Sequence, residues 1–143
     1  MAHPRTEILS AVRSHLVPNV PSVSGRIVDP KEAARPVTRA LPFLVVGAEE
    51  ERRPDVARRD ATTSLLTRPL VIGIQVVAES ETQRDDVCSE VELTMGSVAF
   101  YSASMLMDGT SFGTRVGEGD RVHLVAMLRY VVQYRTTSRG EEP

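Results

Sequence analysis

The spacing of apolar residues changes along the chain, and each change predicts a new element of secondary structure. One helical face near the N-terminus carries the apolar residues Ile8, Leu9, Val12 and Leu16. Thr6 is placed to cap this helix and Pro18 to stop it, so we expect a helix over about residues 5–17. A short extended segment is expected at about 22–28. Two prolines and mixed charge in residues 29–41 predict a loop across the surface.

Two β-prone runs follow that loop. PFLVVGA, at 42–48, is compact and opens on Pro42, whereas TSLLTRPLVIGIQVVAE, at 63–79, is longer. Both alternating faces of the longer run are largely apolar, which is typical of a central strand covered on both sides. Because Pro69 cannot donate to a strand ladder, we expect it to mark a bulge or the start of pairing.

A helical period returns in SETQRDDVCSEVELTM. Its apolar face consists of Val87, Cys88, Val91 and Met95, and its opposite face is rich in acids. We expect Ser80 or Thr82 to cap this helix and Gly96 to end it. Strands are predicted at about 100–107 and 122–136, and the glycine-rich segment 108–121 between them is predicted to be a mobile loop.

The last strand alternates clearly between two sets of side chains. One set is predicted to face the core and consists of Ala126, Leu128, Tyr130, Val132 and Tyr134. The other set is predicted to face solvent or a partner and consists of Met127, Arg129, Val131, Gln133 and Arg135.

The predicted order is α-β-β-β-α-β-β, which describes an α+β fold with a single mixed sheet of about five strands and two helices. Residues 1–143 are expected to form one domain with a flexible C-terminal tail from about residue 137. The charged stretch EEERRPDVARRD, at 49–60, then joins the second and third strands as a loop. Neither side of it is large enough to be a separate domain, which argues against an interdomain linker.

Composition narrows the possible partners. The formal net charge is −2, so no overall field draws the chain to nucleic acid or to an acidic membrane. Its 17 basic residues include only one lysine, Lys31. This excess of arginine reflects either a GC-rich genome or a surface suited to bidentate ion pairs with another subunit.

The single cysteine, Cys88, excludes an intrachain disulfide and a cysteine metal cluster. The N-terminal residues lack the continuous apolar stretch of a signal peptide, since Glu7, Arg13 and His15 interrupt it. No window approaches the roughly 18 apolar residues of a membrane span. We therefore expect a soluble protein made in a reducing cytoplasm, or used in a particle assembled there, without contact to a membrane.

No enzymatic motif is evident. His3, His15 and His123 have neither the i, i+4 spacing of a helical zinc site nor an HExxH motif, so they are interpreted as surface histidines. Cys88 lies on an apolar helix face, which favours a buried thiol over a nucleophile. The acids around Asp85 lack the spacing of a calcium loop. We expect no catalytic residues, no cofactor and no metal.

The stretch 49–60 allows three interpretations. It contains four arginines, but five interleaved acids give it the wrong charge for a DNA-binding patch. It also lacks aromatic side chains for base stacking. A solvated charged loop and a protein–protein contact loop therefore both rank above nucleic-acid binding.

The order and spacing of several segments resemble the tail terminator family of long-tailed phages, typified by the lambda minor tail protein U. The similar segments are RTEILSAVRSHL, a short strand ending in Arg26, PFLVVGAEE, RPLVIGIQVVAES, RDDVCSEVELTM and LRYVVQYRT. In the last of these, Leu128, Tyr130 and Tyr134 occupy the positions of the family's L-x-Y-x-x-x-Y pattern. The stretch 49–60 is more heavily charged than the family's matching segment.

This resemblance implies a structural, non-enzymatic protein of the virion, assembled in the host cytoplasm. Tail terminators form a hexameric ring at the head-proximal end of the tail tube, where they stop tube polymerisation and present a surface for head joining. The implied partners are other copies of the chain, the major tail-tube protein and a head-closure or neck protein. DNA would only pass through the ring lumen, without sequence-specific binding.

Two alternatives stay open: another phage neck or tail-completion protein, and a small cytoplasmic ligand-binding or enzymatic domain. Under the ring hypothesis, charged residues are expected to contact neighbouring subunits or the tube. The candidates in the charged stretch are Glu49, Glu50, Glu51, Arg52, Arg53, Arg58 and Arg59. Two weaker candidates, Arg129 and Arg135, lie on the second face of the last strand.

Overall fold

One mixed β-sheet organises the chain. The computed structural model describes residues 3–35, 37–52, 55–58, 64–96, 105–117 and 121–137. The helices are α1 (Pro4–Asn19), α2 (Pro30–Ala33) and α3 (Glu81–Met95), with a short 3-10 turn at Pro21–Val23. The strands are β1 (Ile27–Val28), β2 (Phe43–Glu51), β3 (Asp55–Arg58), β4 (Ser64–Ala78), β5 (Met105–Val116) and β6 (Val122–Thr137). The predicted α+β fold with a single mixed sheet is confirmed.

Strand β4 lies at the centre of the sheet, as its two apolar faces predicted. The order is β1-β2-β4-β6-β5, and β3 pairs with β4 beside the end of β2. Among the strands that the structure describes, only β1 and β2 are parallel, with Ile27 opposite Leu44. On its other side, β4 pairs with β6 without a break in register.

Helices α1 and α3 cover one face of the sheet and build the main core. Ile8, Val12 and Leu16 of α1 are fully buried. The predicted apolar face of α3 is also buried and packs on the inward side chains of β4 and β6. The opposite face of the sheet carries a smaller cluster formed by Ala33, Phe43, Val45, Val77 and Val125.

The helix ends differ in detail from the predictions. His3, not Thr6, caps α1, since its side chain accepts a hydrogen bond from the Arg5 N–H. Pro18 does not stop the helix, because a missing N–H near the C-terminal end removes only one bond. In α3, Ser80 is the cap and Gly96 ends the helix, as predicted.

Two segments predicted as loops contain strands, and a third contains a short helix. Strand β2 extends through Glu51, and residues 55–58 of the charged stretch form β3. Segment 108–121 is strand as far as Val116, with a register shift between Met107 and Gly109. Within 29–41, α2 is capped by Asp29, whose carboxylate accepts from the Glu32 N–H at 2.7 Å.

The prediction that Pro69 marks a bulge or the start of pairing holds on one side of β4, where pairing with β2 begins at the next residue, Leu70. On the other side Pro69 lies in register with Gln133, within the unbroken pairing with β6. The irregularity lies on the neighbouring strand, between Ala48 and Glu50. Three predictions lie outside the described residues: the strand residues 100–104, the loop residues 118–120 and the tail from residue 138.

Candidate assembly surfaces

An ion pair crosses the open face of the sheet, the face opposite α1 and α3. Glu49 lies at the bulge of β2, and its side chain passes over Gly73 of the central strand. Arg129 on β6 donates to the Glu49 carboxylate at 2.7 Å. The same guanidinium donates to Ser111 on β5 at 3.0 Å. Two predicted contact residues from distant parts of the chain are thus joined within the molecule.

A second ion pair lies at the end of β2. Arg52 donates to both carboxylate oxygens of Asp108, at 2.5 and 3.4 Å. Its Nε also lies 3.4 Å from Glu50. Arg52 therefore ties the end of β2 to the bulge of β5, across a gap of 56 residues in sequence.

Glu51 points to the other face and forms a third polar cluster. The Tyr134 hydroxyl donates to its carboxylate, and Arg68 lies 3.3 Å from it. Burial and the hydrogen bond to Glu51 raise the pKa of Tyr134 to about 12. The ring of His3 meets the Tyr134 ring edge-on, and partial burial together with the charges of Arg5 and Arg68 lowers the pKa of His3.

The remaining candidate residues are distributed as follows. Arg135 is exposed near the end of β6. Arg58 ends β3, where the structure describes its backbone. Arg53 and Arg59 lie outside the described residues.

Strand β5 forms one edge of the sheet, and apolar side chains on it are exposed to solvent. Within the described part of the chain it pairs only with β6. Its exposed large hydrophobic residues are Leu106, Met107, Phe112 and Val116. Phe112 keeps 63% of its surface exposed although the Arg84 guanidinium lies 4.7 Å from its ring centre. Natural proteins blunt or cover an exposed edge strand, and exposed apolar side chains on such an edge are a common feature of contacts with other proteins.

A basic groove lies beside α2, at one end of the sheet. We define it by Arg35, Val37, Arg39, Arg115, Val116 and Arg121, around a space of about 870 Å³. Arg115 donates to the Ala33 carbonyl at 2.6 Å, and Arg115 and Arg39 both lie 5.8 Å from the Phe43 ring centre. The sequence did not reveal this groove, because its arginines come from segments that only the folded sheet brings together.

The cysteine and histidines give no indication of catalysis. Cys88 is buried in the main core, and burial raises the pKa of its thiol to about 11, so it stays protonated at neutral pH. His15 lies in α1 and contacts the Thr94 carbonyl, and His123 is the second residue of β6. Among the described residues, no group of three or more His, Cys, Asp or Glu is placed to hold a metal ion. No helix in the described ranges is long and apolar enough to span a membrane.

Comparison with known proteins gives a likeness among solved structures. No family model matches the chain, and no curated protein sequence matches it. Among solved structures, the chain is similar to one described as "Virion of native gene transfer agent (GTA) particle". The match covers 93% of this chain and all of the other, with 17% identity and a TM-score of 0.49. At this level of similarity the match assigns the chain no function.

Proposed function

We propose that the chain is a structural, non-enzymatic protein of a phage-like virion. It forms a ring at the head-proximal end of the tail tube, stops tube polymerisation and provides the surface for head joining. Its partners are further copies of itself, the major tail-tube protein and a head-closure or neck protein. DNA passes through the ring lumen without sequence-specific binding.

The observation that carries this proposal is the exposed apolar edge of β5. An edge strand of 12 residues, from Met105 to Val116, offers backbone donors and acceptors along its free side. Phe112 and Leu106 add apolar area that a protein partner would bury. At the opposite edge of the sheet, the two-residue strand β1 covers only part of β2, and Arg13 donates to the carbonyl of the next β2 residue, Val46, at 2.9 Å. The two edges of the sheet therefore differ, and a head-to-tail ring likewise uses two unlike surfaces.

Most of the charged candidates that the structure describes form ion pairs within the subunit and so contribute to this role indirectly. Glu49, Arg52 and Arg129 are held in ion pairs that connect β2 with β5 and β6. They fix the shape of the open face. Among the candidates whose side chains the structure describes, Glu50 keeps 60% of its side chain exposed and Arg135 is also exposed, so these two are best placed to reach a neighbouring subunit or the tube.

The test combines assembly and capping. Light scattering at high protein concentration and negative-stain imaging should show rings of six copies. Added to polymerising tail-tube protein, the chain should bind tube ends and shorten the tubes. A strict monomer that neither binds tube ends nor limits tube length would refute the proposal.

A further inference from the structure

Two surfaces of opposite charge lie on opposite sides of the sheet. The basic groove lies on the side that carries α2, whereas α3 packs on the other face. We infer that the basic groove of one subunit receives the outer face of α3 from the next copy, so that the ring closes through two unlike surfaces. This inference rests on the proposed ring function and names the contact that closes the ring.

The groove is both cationic and partly apolar. Among the described residues lining it, four are arginines and one, Glu79, is an acid. Arg35 and Arg39 share a single acidic neighbour, Glu32, at 3.4 and 3.5 Å. Val37 and Val116 expose 51% and 67% of their surfaces beside these charges. An acidic partner with an apolar side chain would match both properties.

The outer face of α3 has the complementary character. Asp85, Asp86, Ser89 and Leu93 lie on this one helical stripe and are all exposed. Leu93 keeps 79% of its surface exposed, the largest fraction among the exposed large hydrophobic residues of the described chain. The helix contains five acids and a single base, Arg84, which pairs with Asp85 at 3.1 Å.

Several observations favour a second copy as the occupant. The chain itself carries both halves of the contact, and each half is exposed. Because the halves lie on different faces, one subunit cannot satisfy both with the same neighbour, and the contact propagates from copy to copy. An anionic groove ligand such as DNA would leave the exposed Leu93 and the acids of α3 without a role.

The test uses two charge-reversed variants and their mixture. Arg35→Glu with Arg121→Glu makes the groove rim acidic, and Asp85→Arg with Asp86→Arg makes the helix stripe basic. Arg35 and Asp85 keep 64% and 63% of their side chains exposed, so these reversals should leave the fold intact. Each variant alone faces like charges at every contact and should need at least about a tenfold higher concentration to assemble. An equal mixture can alternate around the ring, with opposite charges at every contact, and should assemble as wild type does.

Circular dichroism and thermal melting check that each reversed variant is folded. Milder variants, Arg35→Gln with Arg121→Gln and Asp85→Asn with Asp86→Asn, should each weaken assembly. Mixing them should restore only part of it, because a native groove then meets a native α3 face at only every second contact. Assembly is measured free in solution or on tube ends, wherever wild-type rings form. Rings from either reversed variant alone, or a mixture that stays monomeric, would overturn the inference while leaving the proposed function standing. Wild-type protein that forms no ring in either setting would instead overturn the proposed function.

Discussion

Glu49 and Glu51 lie two residues apart in β2, yet their carboxylates go to opposite faces of the sheet. The cause is the register shift between Ala48 and Glu50, which inserts one extra residue and reverses the alternation. Glu49 then reaches Arg129 over Gly73, while Glu51 meets Arg68. Charges that look unsuited to a strand are tolerated here because each finds an arginine in the same sheet, Glu51 on the adjacent β4 and Glu49 across β4 on β6.

The two buried tyrosines of β6 offer a matched comparison at this scale. The Tyr134 hydroxyl donates to Glu51, whereas the buried Tyr130 hydroxyl has no hydrogen-bond partner among the described residues. Tyr134→Phe should therefore lower the free energy of unfolding by about 1–2 kcal/mol, since it removes a bond to a charged group. Tyr130→Phe should leave it within about 0.5 kcal/mol of wild type.

Urea denaturation with linear extrapolation measures the free energy of unfolding of both variants. The comparison is matched because the two tyrosines lie on the same strand and face the same core. The phenyl rings remain in both variants, so packing is preserved and the hydroxyl is the only change. Adding Glu51→Gln to each variant serves as a control. Glu51→Gln should lower the free energy of unfolding less in the Tyr134→Phe protein, where the hydrogen bond is already lost, than in the Tyr130→Phe protein. If Tyr134→Phe and Tyr130→Phe lowered the free energy of unfolding equally, the hydrogen bond between Tyr134 and Glu51 would not stabilise the fold.

At the scale of elements, the docking of α2 depends on a glycine. A Cβ atom at Gly47 would lie 2.9 Å from Pro30 Cδ and closer still to its Cγ. Gly47→Ala should therefore push α2 away from the sheet and cost about 1–3 kcal/mol of stability. Gly113→Ala is the matched control, because its Cβ would make an ordinary 3.6 Å contact with Val125.

Thermal and chemical denaturation compare the two alanine variants. Because α2 and Arg115 form walls of the basic groove, Gly47→Ala should also weaken assembly. A Gly47→Ala protein as stable as the Gly113→Ala protein would mean that α2 shifts without cost.

The elements that could be predicted are those whose apolar period is set by their own residues. The helix α3 and the strands β4 and β6 follow from alternation and helical spacing, because each buries a complete face. Strand β3, the charged end of β2 and the second half of β5 could not be predicted this way. Their polar and glycine-rich residues are held in strands by neighbours: Asp55–Arg58 pairs with β4, and Gly109–Val116 pairs with β6.

At the scale of the whole molecule, the candidate surfaces depend on contacts between distant segments. Periodicity alone placed Arg129 on the second face of its strand, but its partner Glu49 lies 80 residues away. The basic groove likewise combines residues of α2, the following loop and the β5–β6 hairpin. The sequence supplied suitable residue types, and the sheet register decides which of them meet.

Strand β5 yields the last prediction. Leu106→Ser combined with Phe112→Ser removes two exposed apolar side chains from this edge. Substitutions at exposed positions change the free energy of unfolding little, and the variant also loses the contact of Arg84 with the Phe112 ring. The free energy of unfolding should therefore stay within about 0.5–1 kcal/mol of the wild-type value. Because apolar area is buried only when a partner covers the edge, ring formation or tube-end binding should fall at least about tenfold.

Val17→Ser, at an exposed apolar position on α1, is the control and should assemble normally. Sedimentation velocity and tube-length measurements compare the three proteins, and unchanged assembly of the β5 variant would exclude this edge from the interface.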